Sequence, residues 1–346
     1  MTGFLGRIGL DLLRRFAILL AMVVLSAVLS GCVSSVLDVD KRAIQPIPAK
    51  LMGQMNAKQM KPSDPILVRI FKQESELEIW KRTRSGRYAL LKTYPMCRWS
   101  GKLGPKVRNG DRQAPEGFYT ISVSMLNPKS QYYLSFNLGF PNRLESALGY
   151  TGEALMVHGA CSSSGCYAMT DDGVAEIYAV AREALKGGQT SFQVQAFPFR
   201  MTAQNMAKYR SDPNIEFWKN LKEGYDIFEV SRRQPTISAC GRRYVFDAQF
   251  EGGEPADPLA ACPPMTTIEE PALLAKRDAE MRAMETAMTT STPVAVHAYS
   301  DGGMHPSFRA ILQRNGAKEL AKKTSRTLVP ISRPDAALAD PHTPGD

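Results

Sequence analysis

Val157-His158-Gly159-Ala160-Cys161-Ser162-Ser163-Ser164-Gly165-Cys166-Tyr167 is the stretch on which the reading of this chain turns. His158 and Cys166 stand eight positions apart in it, with only small residues between them. A thiolate is a strong nucleophile, and a nearby imidazole can take the thiol proton and later return it to a departing amine. Small intervening residues let the backbone close around a substrate carbonyl. The preceding apolar run Ala154-Leu155-Met156-Val157 predicts a short buried strand that delivers His158 to a sheet edge. Gly165 predicts a tight backbone at the nucleophile, where main-chain N–H groups can face a developing oxyanion. The chain has four histidines, His158, His297, His305 and His342, and only His158 lies close in sequence to a cysteine.

Blander readings compete at each position. A histidine after an apolar strand can be a hydrogen-bonded core residue, and a cysteine can be a small buried hydrophobe. The adjoining Gly159 and the Ser163-Ser164-Gly165-Cys166 turn favour the catalytic pair. Ser163 has two open readings: orienting His158 or the substrate, or closing a turn. A zinc site from His158, Cys161 and Cys166 lacks the tight Cys-x2-Cys spacing of structural sites, and His297, Asp301 and His305 also lack zinc spacing, so no metal is expected. Asp111 and Glu116 read as turn and surface residues. Tyr167 reads as packing, and Trp80, Trp99 and Trp218 as aromatic anchors.

Working outward, Ile66–Phe71 is an apolar run that predicts a buried strand, with 77–81 and 88–91 as partners across a turn at Ser85-Gly86. Residues 95–117 are rich in Gly, Pro and charge and predict a long loop on the scaffold. Tyr119 to Met125 and Tyr132 to Leu138 alternate like half-buried strands, as do Phe192, Val194 and Ala196. Thr170-Asp171-Asp172 starts a helix whose face is Val174, Ile177, Ala181, Ala184 and Leu185, stopped at Gly187-Gly188. Further helix is expected near 203–210, 214–224, 270–288 and 307–323. A strand is expected at 244–246. The class is α+β, strand-dominated and mixed.

The order His-Gly, a short loop, then Ser-x-Gly-Cys resembles the L,D-transpeptidase (YkuD) family, most closely its YafK-type branch. Ala168-Met169-Thr170-Asp171 follows as in that branch. Gly110-Asp111-Arg112-Gln113-Ala114-Pro115-Glu116-Gly117-Phe118-Tyr119, Asn137-Leu138-Gly139-Phe140-Pro141-Asn142 and Phe197-Pro198-Phe199-Arg200-Met201 agree in the same order. The resemblance covers roughly residues 65–230. It departs where other branches carry His before Gly-Cys (Ser164 here) and Arg two after the Cys (Ala168 here), which leaves the acceptor open. The resemblance implies a β-sandwich-like catalytic domain with one long helix against it. It implies Cys166 as nucleophile and His158 as proton donor and acceptor, with Gly165, Ser163 and Gly159 orienting the site or serving the oxyanion. The substrate it implies is a peptidoglycan stem peptide, attacked at the L-centre carbonyl of meso-diaminopimelate without metal or organic cofactor. An amine acceptor makes a crosslink or attaches a protein. Water makes a YafK-type amidase that releases a peptidoglycan-linked outer-membrane protein. Other classes stay in view: a cysteine peptidase of another fold, and a catalytically dead wall-binding lipoprotein.

The N-terminus speaks to location. Arg7, Arg14 and Arg15 precede an apolar run from Phe16 to Leu29, then Ser30-Gly31-Cys32. This predicts a secretory signal over 1–32, its apolar run shorter than the ~20 residues of a spanning helix. Cys32 after Leu-Ser-Gly resembles a bacterial lipobox, which implies a lipid-anchored, exported, periplasmic protein. Residues 33–63 read as a tether with a short helix at 50–60, 64–230 as the catalytic domain, 231–325 as a C-terminal helical extension and 326–346 as a disordered tail. The formal charge of +9 suits acidic wall polymers, and no basic, aromatic-interleaved patch suggests nucleic acid. Cys240 and Cys262 bracket a Gly/Pro-rich loop and are expected to pair in an oxidising compartment, worth about 3 kcal/mol in the chain-entropy model. Cys97 and Cys161 could pair with each other or be small buried residues.

Overall fold

A computed structural model of the chain describes residues 41–267, 270–296 and 303–326. Its centre is β1 (Ile66–Phe71), all six residues of which are buried. A strand covered on both faces needs an apolar run rather than alternation, and Ile66-Leu67-Val68 with Ile70-Phe71 supplies it. The exception is Arg69, whose guanidinium lies over Tyr225 at 4.4 Å and Phe228 at 4.7 Å and pairs with Glu229 at 2.5 Å. β2 (Glu76–Arg82) and β3 (Tyr88–Pro95) continue antiparallel on one side. Gly86, at φ +80°, makes the turn between them. β10 (Ser191–Phe197) lies parallel to β1 on the other side, and β5 (Gly117–Ser122) closes the sheet in the order β3-β2-β1-β10-β5.

A second five-stranded sheet carries the His–Cys stretch. It is built from β4 (Arg98–Trp99), β6 (Leu126–Asn127), β7 (Ser135–Asn137), β8 (Met156–His158) and β9 (Tyr167–Ala168), in the order β4-β9-β8-β7-β6. Short α2 (Arg143–Ala147) lies between β7 and β8 in the chain and is capped by Asn142. The long helix α3 (Asp171–Lys186) starts with Thr170 accepting the Gly173 N–H and Asp171 and Asp172 in its first turn. Its apolar face, including Val174, Ile177 and Ala184, packs against β1 of the first sheet and β7 and β8 of the second. Edge-to-face contact of Phe136 with Phe192 also joins the two sheets. This is an α+β architecture of two sheets with a long helix against both.

Several elements differ from the sequence reading. Alternation carries β5 only to Ser122, because Val123–Met125 turn into a 3-10 helix with Val123 67% exposed. Only Ser135–Asn137 of the 132–138 segment is strand, since Tyr133 takes a positive φ of 72°. The 33–63 stretch carries the short helix expected at 50–60, α1 (Ala49–Ala57), but is packed down rather than free: it buries Leu51 and Met55, and Met60 follows them into the interior. Asp111 and Glu116 are not surface residues. Both are almost fully buried, each in an ion pair: Asp111 with Lys106 at 2.5 Å and Glu116 with Lys72 at 2.8 Å.

Residues from Pro46 onward form one compact unit, and the 231–325 region is built into it. α4 (Ala203–Lys208) and α5 (Ile215–Ser231) follow β10. The hairpin β11 (Ile237–Cys240) and β12 (Arg243–Phe246) sets β12 against α5. A small ribbon pairs β13 (Ala248–Phe250) with β14 (Met265–Thr267). α6 (Pro271–Thr290) lies on α4 and α5. α7 (Pro306–Thr324) breaks its helical path at Gly316 and buries Leu320 beside Phe308, Ile311 and Leu312. Cys240 and Cys262 are disulfide-bonded, with Cα atoms 5.0 Å apart. Of the 326–346 tail only Arg326 is described, and the 1–32 segment with Cys32 lies outside the described residues.

The 100–116 loop is held by buried charge. Lys72 Nζ donates to the Gly104 and Ala114 carbonyls and to Glu116, whose other oxygen accepts from Trp218 Nε1 at 2.8 Å. Burial pulls the Lys72 ammonium below its ordinary pKa despite the Glu116 charge. Glu116→Ala strands a buried cation and the Trp218 donor. It is expected to cost about 3–5 kcal/mol, read as a lowered denaturant midpoint. A loss below about 1 kcal/mol would show that the network is not structural.

Candidate active site

β8 and β9 run parallel, with Val157 opposite Tyr167 and His158 opposite Ala168. Only residues 159–166 connect them, shorter than the dozen or more that a parallel crossover usually needs. The connection therefore folds back along β8 rather than crossing the sheet. Extending the register puts Cys166 level with Met156, and the Met156 N–H does meet Cys166 Sγ at 3.4 Å. Cys166, the residue just before β9, thus stands beside Met156 of β8, two residues along that strand from His158. One strand spacing and two residues of rise separate their backbones by roughly 8 Å.

His158 is buried and its ring is fixed. Nδ1 lies 2.5 Å from the Gly159 carbonyl. A carbonyl can only accept, so Nδ1 carries the proton and Nε2 keeps the free lone pair. Burial lowers the imidazole from its ordinary value to about 4, with the Gly159 carbonyl acting weakly in the other direction. The ring is thus a neutral base at neutral pH. Tyr132 covers it, ring centroids 4.7 Å apart and planes tilted by 31°, and Tyr132 is itself 41% exposed. The sequence reading saw Tyr132 only as one end of an alternating strand.

Cys166 is half-buried and is the free thiol among the described cysteines. Its Sγ accepts from the Met156 N–H and points its own proton to the Ala154 carbonyl at 3.7 Å. Burial raises the thiol pKa, partly offset by the Met156 N–H and the positive charge of Lys106. No hydrogen bond joins Sγ to the His158 ring in this resting arrangement. Catalytic hydrogen bonds often tighten only when substrate is bound. The resting pair is therefore thiol and neutral imidazole.

The surroundings of both residues are built for close approach. Ala154 and Ala160 bracket β8 at φ +56° and +59°, a conformation that costs a non-glycine residue energy and clusters at functional sites. Gly159 has no room for a side chain: a Cβ would sit 2.7 Å from Asp171 Oδ1 and 2.8 Å from the Tyr132 carbonyl. Its carbonyl orients His158, while its N–H is spent on Tyr132 and Leu134. Gly165 adopts φ +136°, open to glycine and strained for other residues. Ser163 accepts from the Gly165 N–H at 3.3 Å and donates to the Cys166 carbonyl at 2.7 Å. These bonds close the turn before the nucleophile, and Ser163 Oγ also lies 3.0 Å from Ser100 Oγ. Tyr167 is buried and donates to the Pro115 carbonyl at 2.5 Å.

Two anchors hold the loop from behind. Cys97 and Cys161 form a disulfide, Cα atoms 5.3 Å apart, which ties the loop to β4's leading edge and removes Cys161 from any zinc set. Asp171, at the start of α3, accepts from the Ala160 N–H at 2.8 Å and from the Arg326 N–H at 2.6 Å. His305 caps α7 and donates its main-chain N–H to the Met96 carbonyl, and His297 and Asp301 fall outside the described residues.

No family model matches the chain. It is 42% identical over 237 residues to "Putative L,D-transpeptidase YafK" of Escherichia coli K12, covering 67% of this chain and 90% of that protein. The same identity and coverage hold for the protein of that name from Escherichia coli O157:H7. Among solved structures, the helical cell shape determining protein Pgp2 of Campylobacter jejuni aligns at 16% identity with a TM-score of 0.32, covering 54% of this chain and 79% of that one. Bd1075 of Bdellovibrio bacteriovorus aligns at 14% identity with a TM-score of 0.29, covering 52% and 78%. Sequence identity of this extent, across nine-tenths of the Escherichia coli protein, makes the chain a member of the L,D-transpeptidase family, in its YafK-type branch.

Proposed function

We propose that this protein is a cysteine L,D-transpeptidase acting on peptidoglycan stem peptides. One observation carries the reading: a free thiol and an imidazole with its proton held on Nδ1 lie two residues apart across neighbouring strands joined by a short clipped loop. Cys166 Sγ attacks the carbonyl at the L-centre of meso-diaminopimelate as His158 Nε2 takes the thiol proton. An S–C bond forms and the oxyanion meets main-chain N–H groups at Gly165 and Cys166, the former leaving Ser163 Oγ. Collapse breaks the C–N bond, and the imidazolium returns its proton to the departing D-amino acid amine. The thioester then passes its acyl group to an amine, giving a crosslink or an attached protein. In that step the C–S bond breaks, His158 Nε2 takes the proton of the attacking amine and returns it to the Cys166 sulfur.

The test is incubation of the purified protein with defined muropeptides, read by mass spectrometry. Crosslinked products support the transpeptidase. Free tripeptide with released D-amino acid and no crosslink would replace it by the amidase of the same branch, releasing a peptidoglycan-linked protein. No thioester on either route, with intact folding, would leave only wall binding.

Two disulfides suit a protein that works outside the reducing cytosol. Lipidation at Cys32 is a separate proposal, resting on the Leu29-Ser30-Gly31-Cys32 sequence. Cys32→Ser is expected to shift the protein from the membrane fraction to the soluble periplasm, or to leave its precursor uncut. Unchanged processing and membrane attachment would remove the lipid anchor from the account.

A further inference from the structure

Lys106 and Asp111 form an ion pair in which both side chains are about 4% exposed. The pair sits where two walls of the nucleophile meet. On one side, the Lys106 chain packs on Gly152, its Cε only 2.7 Å from where a Cβ on that glycine would lie, and its ammonium faces the Phe140 ring. The same segment is stapled again, by Thr151 N–H to the Val107 carbonyl and Asn109 N–H to Thr151 Oγ1. Two residues beyond Gly152 is Ala154, whose carbonyl receives the Cys166 thiol.

On the other side, Asp111 gathers its own loop. Its carboxylate accepts from the Val107, Arg108 and Gln113 N–H groups as well as from Lys106. The Gln113 carbonyl then stands 3.6 Å from the Cβ position of Gly165, the residue before the nucleophile. A buried charge pair is a poor source of net stability compared with apolar packing, so its retention beside a reactive thiol calls for another role.

We propose that the Lys106–Asp111 pair is a positioning device for Cys166: it fixes the Gly152–Ala154 and Gln113–Gly165 walls and holds a positive charge behind the sulfur where thiolate develops. This rests on Cys166 being the nucleophile. The other ionisable groups around the thiol are His158 on β8, buried and neutral, and Glu153 before Ala154, which is exposed. Neither supplies a cation in the resting state. Lys106 does, and its charge acts to lower the thiol pKa against the burial that raises it.

The test is the pH dependence of Cys166 alkylation by iodoacetamide in the intact protein, followed by peptide mass. The double variant K106M/D111N removes the cation while leaving no unpaired interior charge and keeping an acceptor at 111. Its thiol midpoint is expected to rise by about one pH unit, so that alkylation at neutral pH slows about tenfold. K106M alone should move further the same way, since the Asp111 carboxylate then opposes thiolate unbalanced. If K106M alone does not fold, the double variant carries the comparison. A folded double variant with an unmoved midpoint overturns the proposal, even if its thermal stability has dropped, and a midpoint that falls, as looser packing that lets water reach the sulfur would give, overturns it as well. Failure of the nucleophile assignment appears elsewhere: Cys166→Ala would keep its muropeptide turnover, while these midpoints would stand.

Discussion

Cys166→Ala is expected to reduce acyl transfer from muropeptides by at least about 10⁴-fold, because nothing else in the site can carry the acyl group. The nearby Ser163 hydroxyl is bonded to the Gly165 N–H and the Cys166 carbonyl, and the remaining described cysteines are in disulfides. The fold should survive. The substitution removes one half-buried sulfur, whose long contacts to the Met156 N–H and Ala154 carbonyl are worth on the order of 1 kcal/mol. Intact mass after exposure to a carbapenem gives an independent reading: the native protein gains the acyl adduct and the variant does not. Turnover above a few per cent of native in a folded variant would end the assignment.

His158→Ala should slow the reaction about 10²–10⁴-fold, the range for a lost acid–base group. A loss of only a few-fold would make the imidazole a structural residue. The pH behaviour separates the two roles further. With the imidazole lowered to about 4 by burial, His158 stays neutral from pH 8 down to pH 5, so the native enzyme should show no activity loss from its protonation across that range. Stability behaves differently. Below the ordinary histidine value of about 6.5 the unfolded chain takes up a proton that the folded chain refuses, so stability falls as pH drops from 6.5 towards 4. At about 1.4 kcal/mol per pH unit the fall amounts to about 3 kcal/mol, and it is fully absent above 6.5. His158→Gln should flatten that part of the stability profile, measured by urea unfolding at several pH values. An unchanged slope would mean that the ring is not held neutral by burial.

Much of the scaffold was legible because its signals are local. The unbroken apolar run of β1, the Thr170 cap with the face of α3, and the Ser85-Gly86 turn each follow from a few adjacent residues. The closeness of His158 and Cys166 is legible for the same reason, since one short connection holds both. What was not legible depends on contacts distant in sequence. Val123 continues an alternating pattern, but β10 offers it no partner beyond Ser191, and the chain turns away. Asp111 and Glu116 look like surface acids in a Gly/Pro-rich loop until Lys106 and the distant Lys72 are folded over them. Tyr132 gives no hint from its neighbours that it will cover the base. The partner of Cys161 lies 64 positions away, and sequence alone left that pairing undecided.

That pairing also bears on how the protein is handled at the bench. Both sulfurs of the Cys97–Cys161 bridge are shut off from solvent, roofed by Met304, Leu320, Phe308, Ile311 and Leu312 around α7. Cys166 is reachable. A mild reductant added to keep the nucleophile from oxidising therefore acts on Cys166 and finds the loop clip closed to it until α7 lifts away. Under such conditions a thiol count on the folded region includes the nucleophile and whatever the reductant opens at the half-buried Cys262 of the Cys240–Cys262 bridge, whereas Cys97 and Cys161 enter the count only once α7 lifts away. The rate at which that buried pair enters the count under native conditions measures how firmly the C-terminal helix stays seated.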